Sequence, residues 1–227
     1  MKCSSTGEFL WARSEGGPGA AHGQDIAVDA QGNSVIVGML GGIPIQQAIF
    51  GNTTFPVRGF AGFAVKHDAA GNILWASQLG SDNTNYSTSV ALDRAGNAYV
   101  AGVYSSALPA WGPGVKLPYP GGNKNVYTVK YNPQGKVLAA QREGACGGAY
   151  YPFIAVTATQ DIFLAGFFAG PASFVSTLFG KTGGQLFIAR LGDLSTPSTP
   201  DNFACGTASA PAPTPPAPTP RPPPRRK

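Results

Sequence analysis

Few side chains in this sequence are of a type and spacing that suit chemistry, and most of those recur in phase with one another. Trp11 and Trp75 stand 64 residues apart. Two indoles in equivalent places suit a sugar-stacking platform, or one large core side chain used twice. The next position in phase is Ala139, mid-strand, which favours core packing. Lys66, Lys130 and Arg190 are also in phase; they suit either an anion held in a shared channel or a cation capping the solvent edge of each unit. Trp111 and Tyr119 sit among prolines and glycines in 105–124, where exposed aromatics would present a binding loop. These five residues are the candidate ligand-binding set.

Catalytic chemistry finds less support. The two histidines, His22 and His67, are accompanied by no serine in a nucleophile elbow, and Glu8, Glu15 and Glu143 fall at turns or strand ends rather than as a pair. Asp29, Asp68 and Asp93 open short turns with too few carboxylates for calcium. Cys3, Cys146 and Cys205 are far apart, without a C-x-x-C or a histidine at metal-ligand spacing. The sequence therefore nominates no catalytic residue, no metal ligand and no cofactor.

The elements that must position these residues follow from composition and repetition. Charged residues are only 12%, while Gly (31) and Pro (21) are abundant, which suits many short strands joined by tight turns. The net charge of +5 is concentrated at the end, because Arg221, Arg225, Arg226 and Lys227 leave the rest of the chain nearly neutral. A basic folded surface for nucleic acid is not expected. No apolar run reaches the length of a spanning helix, and the first residues lack the apolar core of a signal peptide.

The 64-residue offset is general. Gly7 to Ala12 recurs as Gly71 to Ala76 and as Gly135 to Ala140; Ile26 to Asn33 recurs as Val90 to Asn97 and Ile154 to Asp161. Phe63 to Lys66 matches Tyr127 to Lys130 at 64 and Phe187 to Arg190 at a further 60, so four residues are deleted before Phe187. Each block alternates β-branched and aromatic residues between Gly, Asn and Asp turns. Counted along the chain, the strands fall as three, four, four and one. That total is about three four-stranded antiparallel blades of a β-propeller-like, all-β fold, partial or open, with the last strand placed to complete the first blade. Ordinary rings need four to eight blades, so a homodimer completing a ring is one expectation.

Val90-Ala91-Leu92-Asp93-Arg94-Ala95-Gly96-Asn97-Ala98-Tyr99-Val100-Ala101-Gly102, and its copy from Ile26 to Gly38, resemble the SBBP repeats of bacterial β-propeller proteins. The third copy departs, with Thr157 and Gln160-Asp161 in place of Asp and Gly-Asn. The resemblance implies a secreted or surface-attached protein and lends no catalytic residue. Asp68 to Trp75 is also similar to the tryptophan-docking motif of quinoprotein propellers, which implies as an alternative a fragment of such an enzyme. The expected organisation is a repeat region over 1–194 and a Pro/Ala/Thr-rich tail with a basic end over 195–227. The expected role is a non-catalytic scaffold or recognition module for a protein or carbohydrate.

Overall fold

The computed structural model describes residues 1–17, 20–41, 47–57, 59–80, 85–105, 117, 124–145, 147–174, 177–179, 183–192 and 194. These residues are all strand, turn or irregular, and none forms a helix long and apolar enough to cross a membrane. Cys146, Cys205, Trp111, Tyr119 and the expected tail lie outside the described residues.

The chain opens with a two-stranded ribbon, β1 (Lys2–Cys3) and β2 (Phe9–Trp11). The first sheet follows: β3 (Ala20–Val28) and β4 (Ser34–Gly41), a separate hairpin of β5 (Gln47–Phe50) and β6 (Thr53–Pro56), then β7 (Ala61–His67) and β8 (Ile73–Leu79), in the order β3-β4-β7-β8. The middle sheet repeats it with β9 (Tyr86–Leu92), β10 (Ala98–Tyr104), β11 (Asn125–Tyr131) and β12 (Val137–Ala145). The last sheet holds β13 (Ala149–Val156), β14 (Ile162–Ala169) and, after β15 (Ala172–Phe174) and β16 (Thr177–Phe179), β17 (Gly184–Leu191). All pairings are antiparallel.

The all-β, propeller-like reading holds, with the unit boundaries moved by two strands. Each sheet begins at the strand that carries Ile26, Val90 or Ile154, and the ribbon matches the outer two strands of a unit: Lys2 pairs with Trp11 as Lys66 pairs with Trp75. The last strand does not complete the first unit. Among the described residues β17 pairs with β14 alone, and β2 with β1. The reason is stacking. The ribbon lies on one side of the first sheet and the last sheet beyond the middle one, so two sheets, each spaced about 10 Å from the next, separate them. The middle sheet exceeds four strands because β15 and β16, from the β14–β17 connection, add to the edge of β12 and clasp the two units together.

Three apolar layers hold the array. Val35, Val37, Ala64 and Leu79 of the first sheet meet Val90, Val100, Tyr127 and Val129 of the middle one. Tyr99, Ala101, Val103 and Val126 on the far face of the middle sheet meet Ile154, Leu164, Phe168 and Phe187. On the near side of the first sheet, Phe63 and Val65 pack with Ala48, Phe50 and Val57 around the β5–β6 hairpin. Both faces of β4 and β10 are thus apolar or small, as burial between neighbours requires.

Turn chemistry is uniform. Asp29, Asp68 and Asp93 each accept the N–H groups two and four residues on through Oδ1, and the Asn side chain four on through Oδ2. Asn132 and Ser4 accept the same two backbone donors in their own turns. The divergent third copy keeps this geometry as well: Thr157 accepts from Asp161, and Gln160 takes φ +66°, where the other copies have Gly.

Candidate functional site

A cavity of about 280 Å³ opens between the ribbon and the near face of the first sheet. Its apolar floor comes from alternate residues of β4 and β7, Ile36, Phe63 and Val65, and its polar rim from Arg13, Glu15, Ser34 and His67. His67 is 3% exposed and closes β7, directly across the ladder from Ser34. Its Nε2 lies 2.9 Å from Glu15 Oε1, and its Nδ1 has no hydrogen-bond partner. In the next unit the same place is Tyr131, which reaches back to Ser77 at 3.2 Å and stacks on Trp75. His67 and Glu15 therefore replace an aromatic plug with a polar pair, and the cavity lies beside them.

Sequence reasoning missed this meeting because Glu15 and His67 are 52 residues apart. The signal lay in the phase, since Glu15, Leu79 and Glu143 occupy one repeat position. A histidine held by a carboxylate can bind a donor or an acceptor, and can move a proton. No hydrogen bond joins Ser34 to His67 among the described residues, so no nucleophile is primed there.

The in-phase cations are placed separately. Each is on the third strand of its own sheet, away from the inner strands β3, β9 and β13, and each has a local setting. Lys66, 4% exposed, runs to the turn at Gly96 in the neighbouring unit, whose Cβ position is 3.9 Å from its Nζ. Lys2, in phase with it, donates to the Ala69 carbonyl at 2.9 Å. Lys130 Nζ lies 5.1 Å from the Tyr99 ring centroid, and the Tyr99 hydroxyl donates to Asp93 at 3.1 Å. Burial raises the Tyr99 hydroxyl above its ordinary pKa. Arg190 donates to Asp161 of its own sheet through Nε at 3.0 Å, and this bond leads the effects that hold Asp161 below the usual carboxylate range. The two tryptophans dock alike, Trp11 Nε1 donating to Ala69 O and Trp75 Nε1 to Pro133 O.

The far face of the last sheet is open among the described residues. Phe153, Phe167, Leu186 and Ile188 are 63%, 43%, 80% and 73% exposed, whereas Ser89, Val103, Val126 and Thr128 in the same positions of the middle sheet are buried. Inner strands are stitched across units by one repeated bond. Asp25 Oδ2 accepts the N–H of Val90, and Ser89 Oγ accepts that of Ile154. Phe153 ends the series with no acceptor to offer. Residues that a next unit would cover thus face outward here.

Residues 74–103, which run from β8 to β10, match the family described as SBBP, a beta-propeller repeat. No curated protein matches the chain.

Proposed function

We propose that this chain, which carries an SBBP-type β-propeller repeat, is a non-catalytic scaffold or recognition module, and that its open blade faces are its contact surfaces. The observation that carries the reading is the far face of the last sheet, where Leu186 and Ile188 stand in water while their counterparts Val126 and Thr128 are buried. A contiguous apolar face of this kind marks an interaction site for protein. The carbohydrate form of the reading rests on Trp111 and Tyr119, which lie outside the described residues. An extracellular or cell-surface location fits the resemblance of the repeats.

The test is solvent footprinting with hydroxyl radicals on the full chain, alone and with candidate partners. Protection of Leu186, Ile188 and Phe167 on complex formation supports the reading. A complex that leaves all three fully reactive removes it. Glycan binding lost in Trp111→Ala would instead place recognition within residues 105–124.

A fragment of a quinoprotein-like enzyme is the second reading, favoured by the docking of Trp75 on the 132–136 turn. The described residues gather no cluster of three His, Cys, Asp or Glu side chains to hold the metal that such a quinone uses. They do not fit that group, and no step is derived through it.

A further inference from the structure

We propose that two copies of this chain join head to tail, the far face of the last sheet in each seating on the near face of the first sheet in the other, with β17 taking β2 as its fourth strand. This rests on the reading of the blade faces as contact surfaces, and it names the partner.

The two internal junctions supply the template. In both, a sheet offers one layer of side chains from its second and third strands, and the next sheet receives them on a face marked by Val90 or Ile154, 6% and 7% exposed. Ile26 holds the same position in the first sheet and is 56% exposed. The last sheet therefore carries an unreceived donor face and the first sheet an acceptor face left open at Ile26, and the cavity over Ile36, Phe63 and Val65 is where the donor layer would enter.

Strand content is complementary too. Among the described residues, the last sheet has the first three strands of a unit and no fourth, and the ribbon has a fourth strand, β2, paired with the two-residue β1 alone. The internal registers fix the join. Lys66 faces Trp75, Ala64 faces Ser77 and Gly62 faces Leu79, and the middle sheet repeats this with Lys130–Ala139, Thr128–Gln141 and Val126–Glu143. Carried over, Arg190 lies opposite Trp11, Ile188 opposite Arg13 and Leu186 opposite Glu15, with β17 displacing Lys2 and Cys3. Two copies then hold six completed units, inside the four to eight of closed propellers, so the head-to-tail contact closes rather than propagates.

The sequence of 195–227 argues against the tail as occupant of the face. Pro197, Pro200 and the prolines from Pro211 to Pro224 remove the N–H donors and the alternation that a covering sheet needs.

Light scattering on the full chain over a range of concentrations tests the join, with Ile188→Asp and Ile26→Asp as variants; both side chains are exposed in the single chain, and thermal unfolding checks the fold. Twice the 23.3 kDa chain mass is expected for the natural sequence, a single mass for each variant, and a one-to-one pair when the two variants are mixed, because one junction is then intact. A dimer that survives Ile26→Asp but not Ile188→Asp means that two last sheets face each other, and overturns the head-to-tail join. Growth into long assemblies overturns closure. A monomer that dimerises once 195–227 is removed shows the face held by its own tail, and also overturns it. If the full chain stays monomeric yet binds an apolar-surface dye, and Leu186→Asp with Ile188→Asp abolishes that binding, the second copy is wrong and the contact face stands; a monomer that binds no dye removes both.

Discussion

The indole N–H of Trp75 donates to the carbonyl of Pro133 at 3.0 Å, and Trp11 makes the same bond to Ala69, each across 58 residues. One bond repeated at one spacing ties β2 to the turn of the first sheet and β8 to the turn of the middle one. Trp75→Phe keeps much of the stacking on Tyr131 and leaves a carbonyl without its donor, at an expected cost of about 1 kcal/mol. Trp75→Ala also empties the docking site and should cost about 3 kcal/mol. Urea unfolding of the two variants separates bond from packing: equal losses would show that the ring adds nothing beyond the hydrogen bond, and no loss in Trp75→Phe would show that the bond contributes nothing.

Gly135 and Gly7 hold the same turn position in different surroundings. Gly135 has φ +80° with Trp75 Cγ 2.6 Å from where a Cβ would stand, whereas Gly7, at φ +86°, has nothing within 4 Å. Gly7→Ala should cost about 1 kcal/mol for the left-handed backbone alone, and Gly135→Ala clearly more, because the indole must leave its seat. Similar thermal shifts for the two would refute the docking account.

Gln160 is the converse case, a side chain at φ +66° in a turn where the other copies carry Gly. Gln160→Gly relieves a conformation that costs roughly 1–2 kcal/mol and gives back part of that as chain entropy. A net gain of about 0.5 kcal/mol is expected in chemical denaturation. Loss of stability would mean that the Gln160 side chain contributes to the turn.

Ser89 links three sheets, donating to Asp25 Oδ2 at 2.8 Å and accepting the Ile154 N–H at 3.3 Å. Ser89→Ala strands a buried backbone donor and should cost about 1–3 kcal/mol. Hydrogen exchange at Ile154 should rise with it while exchange in β7 stays unchanged.

Acid sensitivity follows from two exposed carboxyls. The Asn72 backbone N–H first, and then its side chain, hold Asp68 below the ordinary 3.8, and Arg190 does the same for Asp161. A carboxyl with a depressed folded pKa contributes stability that is fully present above the unfolded value and is lost as pH falls through the folded one. The melting temperature should therefore drop as pH falls below about 3.8. Asp68→Asn should lose less in acid than the natural sequence, since Asn132 already accepts the same two N–H groups through its Oδ1. A parallel acid profile for the variant would show that Asp68 does not contribute.

Much of the fold was legible in the residues themselves. Asp-x-x-Gly-Asn closes a turn by bonds within five residues, Gly supplies the positive φ, and alternating apolar strands between such turns pair with whatever precedes them; these are local effects, and repetition at 64 residues displayed them. What the tertiary structure decided was everything that depends on which sheet lies against which. It set the unit boundaries two strands away from where counting puts them, gave Lys66, Lys130 and Arg190 three different local settings, brought Glu15 to His67, and left Leu186 and Ile188 in water while Val126 and Thr128 are buried. A repeat assigns the same pattern to every copy, but burial belongs to the neighbour, and only the stacked sheets show which copies have one.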